Sequence, residues 1–238
     1  MSYALVIAAL VILLGAIVQG AAGYGMNLVA APILALVDPA LLPAPLLLLA
    51  AVHAILAATR ERHHVDWSGV GWTMVGRLPG TVIGVIIVAT LPQGPFAIVV
   101  GVVVLACVLL SLTSWHPRPT PGALTLGGGV GGIFGTAATI GGPPIALLYQ
   151  HQRGPTIRST LAMYFLLGSL LSVAALAVGG QVDTTALLQA AALLPFMLLG
   201  FALSNPVKRF LDTGWMRTAV LTVASVSAAV LIVENAVG

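Results

Sequence analysis

Long apolar segments with short polar gaps make up nearly the whole chain. The eight segments fall at about residues 3–37, 41–59, 69–90, 95–113, 122–150, 157–179, 185–204 and 214–235. A membrane-spanning helix needs about 20 mostly apolar residues, and six segments fit one crossing each. Their continuous Leu, Val and Ala runs do not alternate as the strands of a transmembrane barrel do. Charged residues are only 6% of the chain, too few to cover a water-facing surface. The sequence predicts an all-α polytopic membrane protein.

The first and fifth segments are too long for one comfortable crossing and are interrupted near their middles. The interruptions read QGAAGYGMN, Gln19 to Asn27, and GTAATIGGPP, Gly135 to Pro144. Glycine and polar residues at these points predict a broken hairpin in each segment, made of two short or half helices. Each arm is expected to have about 14–17 residues, or about 21–26 Å, which hardly clears a hydrocarbon core of about 30 Å.

The two broken segments also mark an internal repeat. A shift of 112 residues superimposes three glycines and one proline of the first half on the same residue types in the second. These are Gly15, Gly20, Gly23 and Pro32, which fall on Gly127, Gly132, Gly135 and Pro144. Further along, the shift grows by a few residues, and His64-Val65-Asp66 then aligns with Gln181-Val182-Asp183. We therefore predict a first repeat at 1–113, a cytoplasmic linker at 114–121 and a second repeat at 122–238, each with one hairpin and three transmembrane helices.

The positions of the basic residues predict the topology. Lys and Arg concentrate in a subset of the loops, at Arg60, Arg62, Arg118, Arg153, Arg158, Lys208, Arg209 and Arg217. If both broken segments enter and leave on the same side, all these loops share one face, which the positive-inside rule assigns to the cytoplasm. Both termini then lie on the periplasmic side. Because three crossings per repeat is an odd number, the second repeat is inverted, a plan common in secondary transporters.

The turns of the two hairpins are the predicted substrate site. Gly23 and Gly25 let the first turn approach a ligand, and Tyr24 and Asn27 offer side-chain donors. In the second turn the corresponding set is Thr136, Thr139, Gly141, Gly142 and Pro143, with the proline starting the next half helix. Free N–H groups and a partial positive charge at half-helix N-termini favour anions. The alternative is that these small residues serve only tight helix packing.

Arg77 and His53 are ionisable residues inside apolar segments. A buried arginine is costly and indicates a functional site, here a fixed positive charge beside an anion path; the alternative is a side chain that reaches back to the cytoplasmic surface. His53 is a candidate proton carrier, or else it only hydrogen-bonds a neighbour. The adjacent His63 and His64 do not share a helix face, so we predict a solvated loop and no metal site.

Two motifs resemble the sulfite exporter TauE/SafE-like family, also called the toluene sulfonate uptake permease family. The first is GAAGYGMNLVAAPIL, Gly20 to Leu34, similar to that family's glycine-rich first segment ending in a proline. The second is GGVGGIFGTAATIGGPPIALLY, Gly128 to Tyr149, similar to its mid-chain signature with a GGPP-like core. Arg158 in RSTLAMYF resembles the basic residue that often opens the family's following helix. The resemblance implies movement of sulfite, sulfonates, sulfoacetate or other organic anions across the bacterial inner membrane.

The sequence therefore predicts a secondary transporter for a small organic or sulfur-containing anion, working by alternating access. A channel-like anion pore and a non-transporting structural membrane subunit are the alternatives. No nucleophile–base set lies within the spans and no nucleotide-binding loop of the GxxxxGK[ST] type occurs, so we predict neither an enzyme nor a bound cofactor. The expected partners are the anion, the lipid bilayer and a coupling ion, H⁺ or Na⁺, with no nucleic acid. The oligomeric state stays open, a homodimer being one option.

Overall fold

A computed structural model describes residues 3–23, 25–113, 117–207 and 213–237, and these residues fold into helices without any strand. In chain order the helices are α1 (Tyr3–Ala22), α2 (Met26–Val37), α3 (Ala44–Arg60), α4 (Trp67–Thr90), α5 (Gln93–Leu112), α6 (Pro121–Ala137), α7 (Pro143–Tyr149), α8 (Gly154–Val178), α9 (Thr184–Val207) and α10 (Thr213–Val237). A 3₁₀ turn at Pro39–Leu41 joins α2 to α3. The prediction of an all-α protein is confirmed.

Both long segments are broken where the glycines predicted it. Between α1 and α2, Gly23 and Gly25 adopt positive φ angles of 88° and 118°, which residues with a Cβ rarely adopt. Between α6 and α7, Thr139 has a φ of 62°. A threonine in this left-handed conformation is unusual, and such backbone strain concentrates at functional sites.

The arms of the two hairpins are less equal than predicted. Helix α6 has 17 residues as expected, but α1 has 20, α2 has 12 and α7 has only 7. At 1.5 Å per residue, α1 reaches about 30 Å and could cross a bilayer alone, whereas α7 covers about 10 Å. The expectation of about 14–17 residues is therefore wrong for α1, α2 and α7, because each break lies off the centre of its segment.

Seven helices in the described ranges are long and apolar enough to span a membrane. They are α1, α3 with the preceding 3₁₀ turn, α4, α5, α8, α9 and α10. Many large apolar side chains on their outer faces are exposed, among them Leu109 and Leu188. Such a surface suits lipid rather than water. The protein is thus a multi-pass membrane protein.

The helices pack in pairs that repeat from one half of the chain to the other. Helix α4 packs on α6 as α1 packs on α9, and α3 contacts α9 as α8 contacts α4. Two further large contacts join counterparts, α5 with α10 and α3 with α8. This pattern accords with the predicted repeat. The inversion of the second half and the division at residues 113 and 122 remain predictions.

Glycines bring α4 and α6 into backbone contact. A Cβ added at Gly76, Gly80 or Gly128 would overlap main-chain atoms of the opposite helix. Small residues at a spacing of four let membrane helices approach in this way. Part of the glycine content therefore serves packing, and this packing holds the middle of α4, with Arg77, against the second break.

Candidate functional site

A small cavity lies where the two broken hairpins meet α3, α4 and α8. Its volume is about 40 Å³, room for a few water molecules. It is lined by Arg77 and by residues of both breaks, and we refer to it as the central cavity. Seven of the predicted substrate-binding residues line it: Gly25, Asn27, Arg77, Thr139, Gly141, Gly142 and Pro143. Residues that are far apart in sequence thus converge as the repeat predicted.

A hydrogen bond joins the two breaks directly. Asn27 Nδ2 donates to the main-chain oxygen of Thr139 at 2.8 Å. The Thr139 hydroxyl donates to the carbonyl of Ala138 at 2.6 Å, so it is engaged by its own chain. The Oδ1 atom of Asn27 is buried and has no hydrogen-bond partner among the described residues. Asn27 thus links the hairpins with its amide nitrogen and leaves its oxygen available.

Arg77 is deeply buried and only partly satisfied. Its side chain is 3% exposed, which excludes the alternative that it reaches back to the surface. Nη2 donates to Ser172 Oγ at 3.4 Å, and Cζ lies 4.7 Å from the centre of the Tyr164 ring. Nε and Nη1 are buried without partners, and no acidic side chain in the described ranges pairs with Arg77. A buried cation without a counterion is costly and well suited to receive an anion.

Glycines from three elements make room for the guanidinium. A Cβ at Gly135 would lie 2.9 Å from Nη2, and one at Gly141 would lie 3.1 Å from Nη1. A Cβ at Gly168 on α8 would overlap Cζ and Nε. Because any larger residue would displace the arginine, its position depends on these three glycines.

Two further contacts hold the surroundings of Arg77 in place. Tyr164 donates its hydroxyl to the Gly141 carbonyl at 3.1 Å, which ties α8 to the second break. Thr136 and Ser172 share a hydrogen bond of 2.8 Å. Thr136 was predicted to bind substrate, but it does not line the central cavity; it bonds Ser172, which in turn accepts from Arg77.

Some of the N-terminal amides of the half helices are already bonded within the protein, and α7 offers fewer donors than predicted. At α2, the Met26 amide donates to Gln19 Oε1 at 3.1 Å. At α7, Pro143 and Pro144 have no N–H, and the amides of Ile145 and Ala146 both donate to the Gly142 carbonyl. The α7 end therefore supplies no free N–H from these four residues. Arg77, rather than this helix end, is the main positive group of the site.

A second cavity of about 20 Å³ adjoins the central one, and we call it the vestibule. Gly23 and His53 line the vestibule rather than the central cavity, together with Arg60, Glu61 and Arg158. Gln19 and Phe165 line both cavities. They therefore lie between the central cavity and the charged residues of the vestibule, where Arg158 is paired with Glu61 at 3.3 Å.

His53 is fully buried within α3. Its Nδ1 lies 3.3 Å from Gln19 Nε2, and its ring meets the ring of Phe201 edge-on at 5.1 Å. Arg60 stacks on the same Phe201 ring at 4.6 Å. His53 therefore lies within hydrogen-bonding distance of a neighbour, and its role as a proton carrier stays a prediction.

Several residues that line or surround the central cavity were missed from the sequence. Gln19 stands out as a polar residue in an apolar run and could have been chosen. Gly168, Ser169 and Ser172 form a small, polar face in LGSLLS on α8, a weaker signal. Tyr24 lies outside the described residues. No group of three or more His, Cys, Asp or Glu side chains within the described ranges could hold a metal ion.

Comparisons with known proteins identify the family of the chain. The family model "Sulfite exporter TauE/SafE" matches residues 7–231. A protein of Cupriavidus necator named "Probable sulfite/organosulfonate exporter TauE" is 28% identical over 205 residues, covering 80% of this chain and 79% of that protein. No solved structure is significantly similar to the chain. Since the family model covers nearly all of the sequence, the chain belongs to the sulfite exporter TauE/SafE family.

Proposed function

We propose that the protein is a secondary transporter that moves a small organic or sulfur-containing anion across the bacterial inner membrane by alternating access. Sulfite, sulfonates and sulfoacetate-like compounds are the candidate substrates. The main support is Arg77, a buried guanidinium with two unpartnered nitrogens at a cavity between two broken helices. The name of the Cupriavidus necator relative, an exporter of sulfite or organosulfonates, points to the same substrate class.

The position of the vestibule suggests the route. It contains Arg60 and Arg158, which lie in loops and helix ends that we assign to the cytoplasm by the positive-inside rule. An anion would pass from these arginines, between Gln19 and Phe165, to Arg77. Alternating access then requires the two halves to move around the contact between Asn27 and Thr139. Coupling to H⁺ or Na⁺ is part of the proposal, with His53 as the candidate proton carrier.

Flux through reconstituted liposomes tests the proposal. We expect saturable uptake of radiolabelled sulfite or methanesulfonate, and accelerated counterflow when unlabelled anion is present on the other side. The Arg77→Ala variant should lose at least about 90% of the flux, because it removes the charge that replaces the anion's hydration. Arg118→Ala, which removes an exposed arginine, is the matched control. Flux that neither saturates nor shows counterflow would indicate a pore, and unchanged flux in Arg77→Ala would remove Arg77 from the site.

Labelling from either side tests the proposed inversion. The chain has a single cysteine, Cys107, which is buried, so we expect little labelling of the unmodified protein. His64 and Gln181 occupy equivalent positions in the two repeats. With an impermeant maleimide on intact cells, Gln181→Cys should react, whereas His64→Cys should react only after the membrane is opened. Reaction of both from the same side would refute the inverted topology.

A further inference from the structure

The charges that line the central cavity restrict the anion that it can hold. Among the described residues lining it, Arg77 is the one charged side chain. The amides at the start of α7 add little, since two are absent and two are bonded to Gly142. The start of α2, where Asn27 and Leu28 line the cavity, adds at most about half a positive charge, so the site balances one negative charge but not two. A dianion would carry a second, uncompensated charge into a buried site, which is strongly unfavourable.

The orientation of the Asn27 amide adds a second restriction. Because a carbonyl oxygen can only accept, the bond to the Thr139 main chain identifies the group facing it as the Nδ2 donor. The remaining Asn27 atom, Oδ1, is thus an acceptor; it is buried without a partner among the described residues, and Asn27 is one of the residues that line the cavity. An acceptor repels a fully deprotonated oxyanion and is satisfied by an O–H group. A bare anion would leave this buried oxygen unpaired, which carries its own cost.

From these two restrictions we propose that the central cavity selects a singly charged anion that carries its own hydroxyl donor, such as hydrogen sulfite in its O–H form or a small hydroxyalkylsulfonate. The oxyanion oxygens accept from Nε and Nη1 of Arg77, and the hydroxyl donates to Asn27 Oδ1. The inference rests on the proposed function and narrows it. Sulfite dianion, sulfate and sulfoacetate, each doubly charged, become poor ligands. When hydrogen sulfite is the cargo, a proton travels with the anion, and that proton needs no protein carboxylate.

Ligand pairs of nearly equal size test the charge restriction. Methanesulfonate and sulfate are tetrahedral anions that differ chiefly by one charge. In titration calorimetry on the purified protein, we expect methanesulfonate to bind at least about tenfold more tightly than sulfate. Sulfite loses its remaining proton near neutral pH, so its affinity should fall as the pH rises through that ionisation. Methanesulfonate keeps the same charge over this pH range. Any change in its affinity with pH therefore comes from the protein and is used to correct the affinities measured for sulfite.

A second comparison tests the hydroxyl donor. Hydroxymethanesulfonate should bind several-fold more tightly than methanesulfonate to the unmodified protein, and Asn27→Leu should abolish that advantage. If the variant does not fold, the ratio in the unmodified protein still decides. Because Na⁺ would also satisfy Asn27 Oδ1, the titrations are run in choline and in sodium salts. Binding of methanesulfonate that requires sodium would overturn the assignment of this oxygen to a hydroxyl.

Each negative result of these titrations contradicts a different part of the proposal. Equal affinity for sulfate and methanesulfonate overturns the charge restriction and leaves the proposed transport of sulfur anions standing. Equal affinity for methanesulfonate and its hydroxylated form overturns the role of Asn27. A third outcome is that none of these anions binds, although a cooperative thermal transition shows that the protein is folded. That result overturns the proposed substrate class and this inference together.

Discussion

Asn27 Nδ2 donates to the main-chain oxygen of Thr139 at 2.8 Å, across 112 positions of sequence. This separation equals the shift that superimposes the glycines and prolines of the two repeats. The contact therefore joins equivalent positions of the two broken hairpins. Contacts between equivalent residues lie close to the axis that relates two repeats. The hydrogen bond accordingly marks where the proposed axis passes the central cavity, beside Arg77.

Two substitutions at Thr139 test separately the cost of its backbone conformation and the contribution of its hydroxyl group to stability. Its φ of 62° is costly for a β-branched residue. Thr139→Gly removes that cost, and we expect the free energy of unfolding to stay equal or rise by about 1 kcal/mol. Thr139→Val keeps the branch and loses the hydroxyl bond to Ala138, so it should lower stability by about 1 kcal/mol. Thermal unfolding in detergent measures both, and a glycine variant less stable than the valine variant would contradict the prediction.

Arg77 should be required for transport yet dispensable for folding. Arg77→Met keeps much of the side-chain volume and removes a buried charge that has no counterion among the described residues. A buried charge without a partner carries a desolvation cost, and replacing even buried ion pairs by apolar groups is often neutral or stabilising by about 1–4 kcal/mol. We therefore expect the melting temperature to be unchanged or higher, while methanesulfonate counterflow is lost. A large drop in melting temperature would instead make Arg77 a structural residue, held for its contacts with Ser172 and Tyr164.

Gly168 should be essential because its missing side chain leaves space for Arg77. A Cβ there would overlap the guanidinium, and Gly168→Ala should reduce transport at least about tenfold and lower stability by about 1–3 kcal/mol through overpacking. Gly71→Ala is the matched control, since a Cβ at Gly71 meets nothing within 4 Å. Counterflow and thermal unfolding are measured for both. Equal behaviour of the two variants would mean that Arg77 moves without consequence.

The sequence predicted those parts of the site that depend on unusual residues in unusual places. Glycines and polar residues inside apolar runs indicated both breaks, and an arginine inside a span indicated the charge. Which helix would surround that arginine was not predictable, because Gly168, Ser172 and Tyr164 on α8 are ordinary residues for a membrane helix. Their role arises only from packing with distant elements. The two prolines of GGPP lack N–H groups, so this motif itself limits the number of donors at the start of α7.

The lengths of the hairpin arms also could not be derived from composition. The apolar runs show where a segment is interrupted, but helix α6 ends at Ala137 and α7 begins at Pro143 for local reasons. The left-handed residue at 139 ends the first arm, and the prolines start the second. Hydropathy does not register either effect.

His53 gives the last prediction, which concerns proton coupling. It is buried and contacts Gln19, which borders both cavities, so a proton on His53 could influence passage between them. Methanesulfonate carries no titrating proton, so its accumulation driven by a pH gradient requires a carrier in the protein. His53→Gln can retain an oxygen acceptor for Gln19 Nε2, and we expect it to abolish gradient-driven accumulation while counterflow stays within about twofold of the unmodified protein. His63→Gln, in the exposed loop before α4, should change neither measurement. Accumulation that persists in His53→Gln would exclude His53 as the carrier.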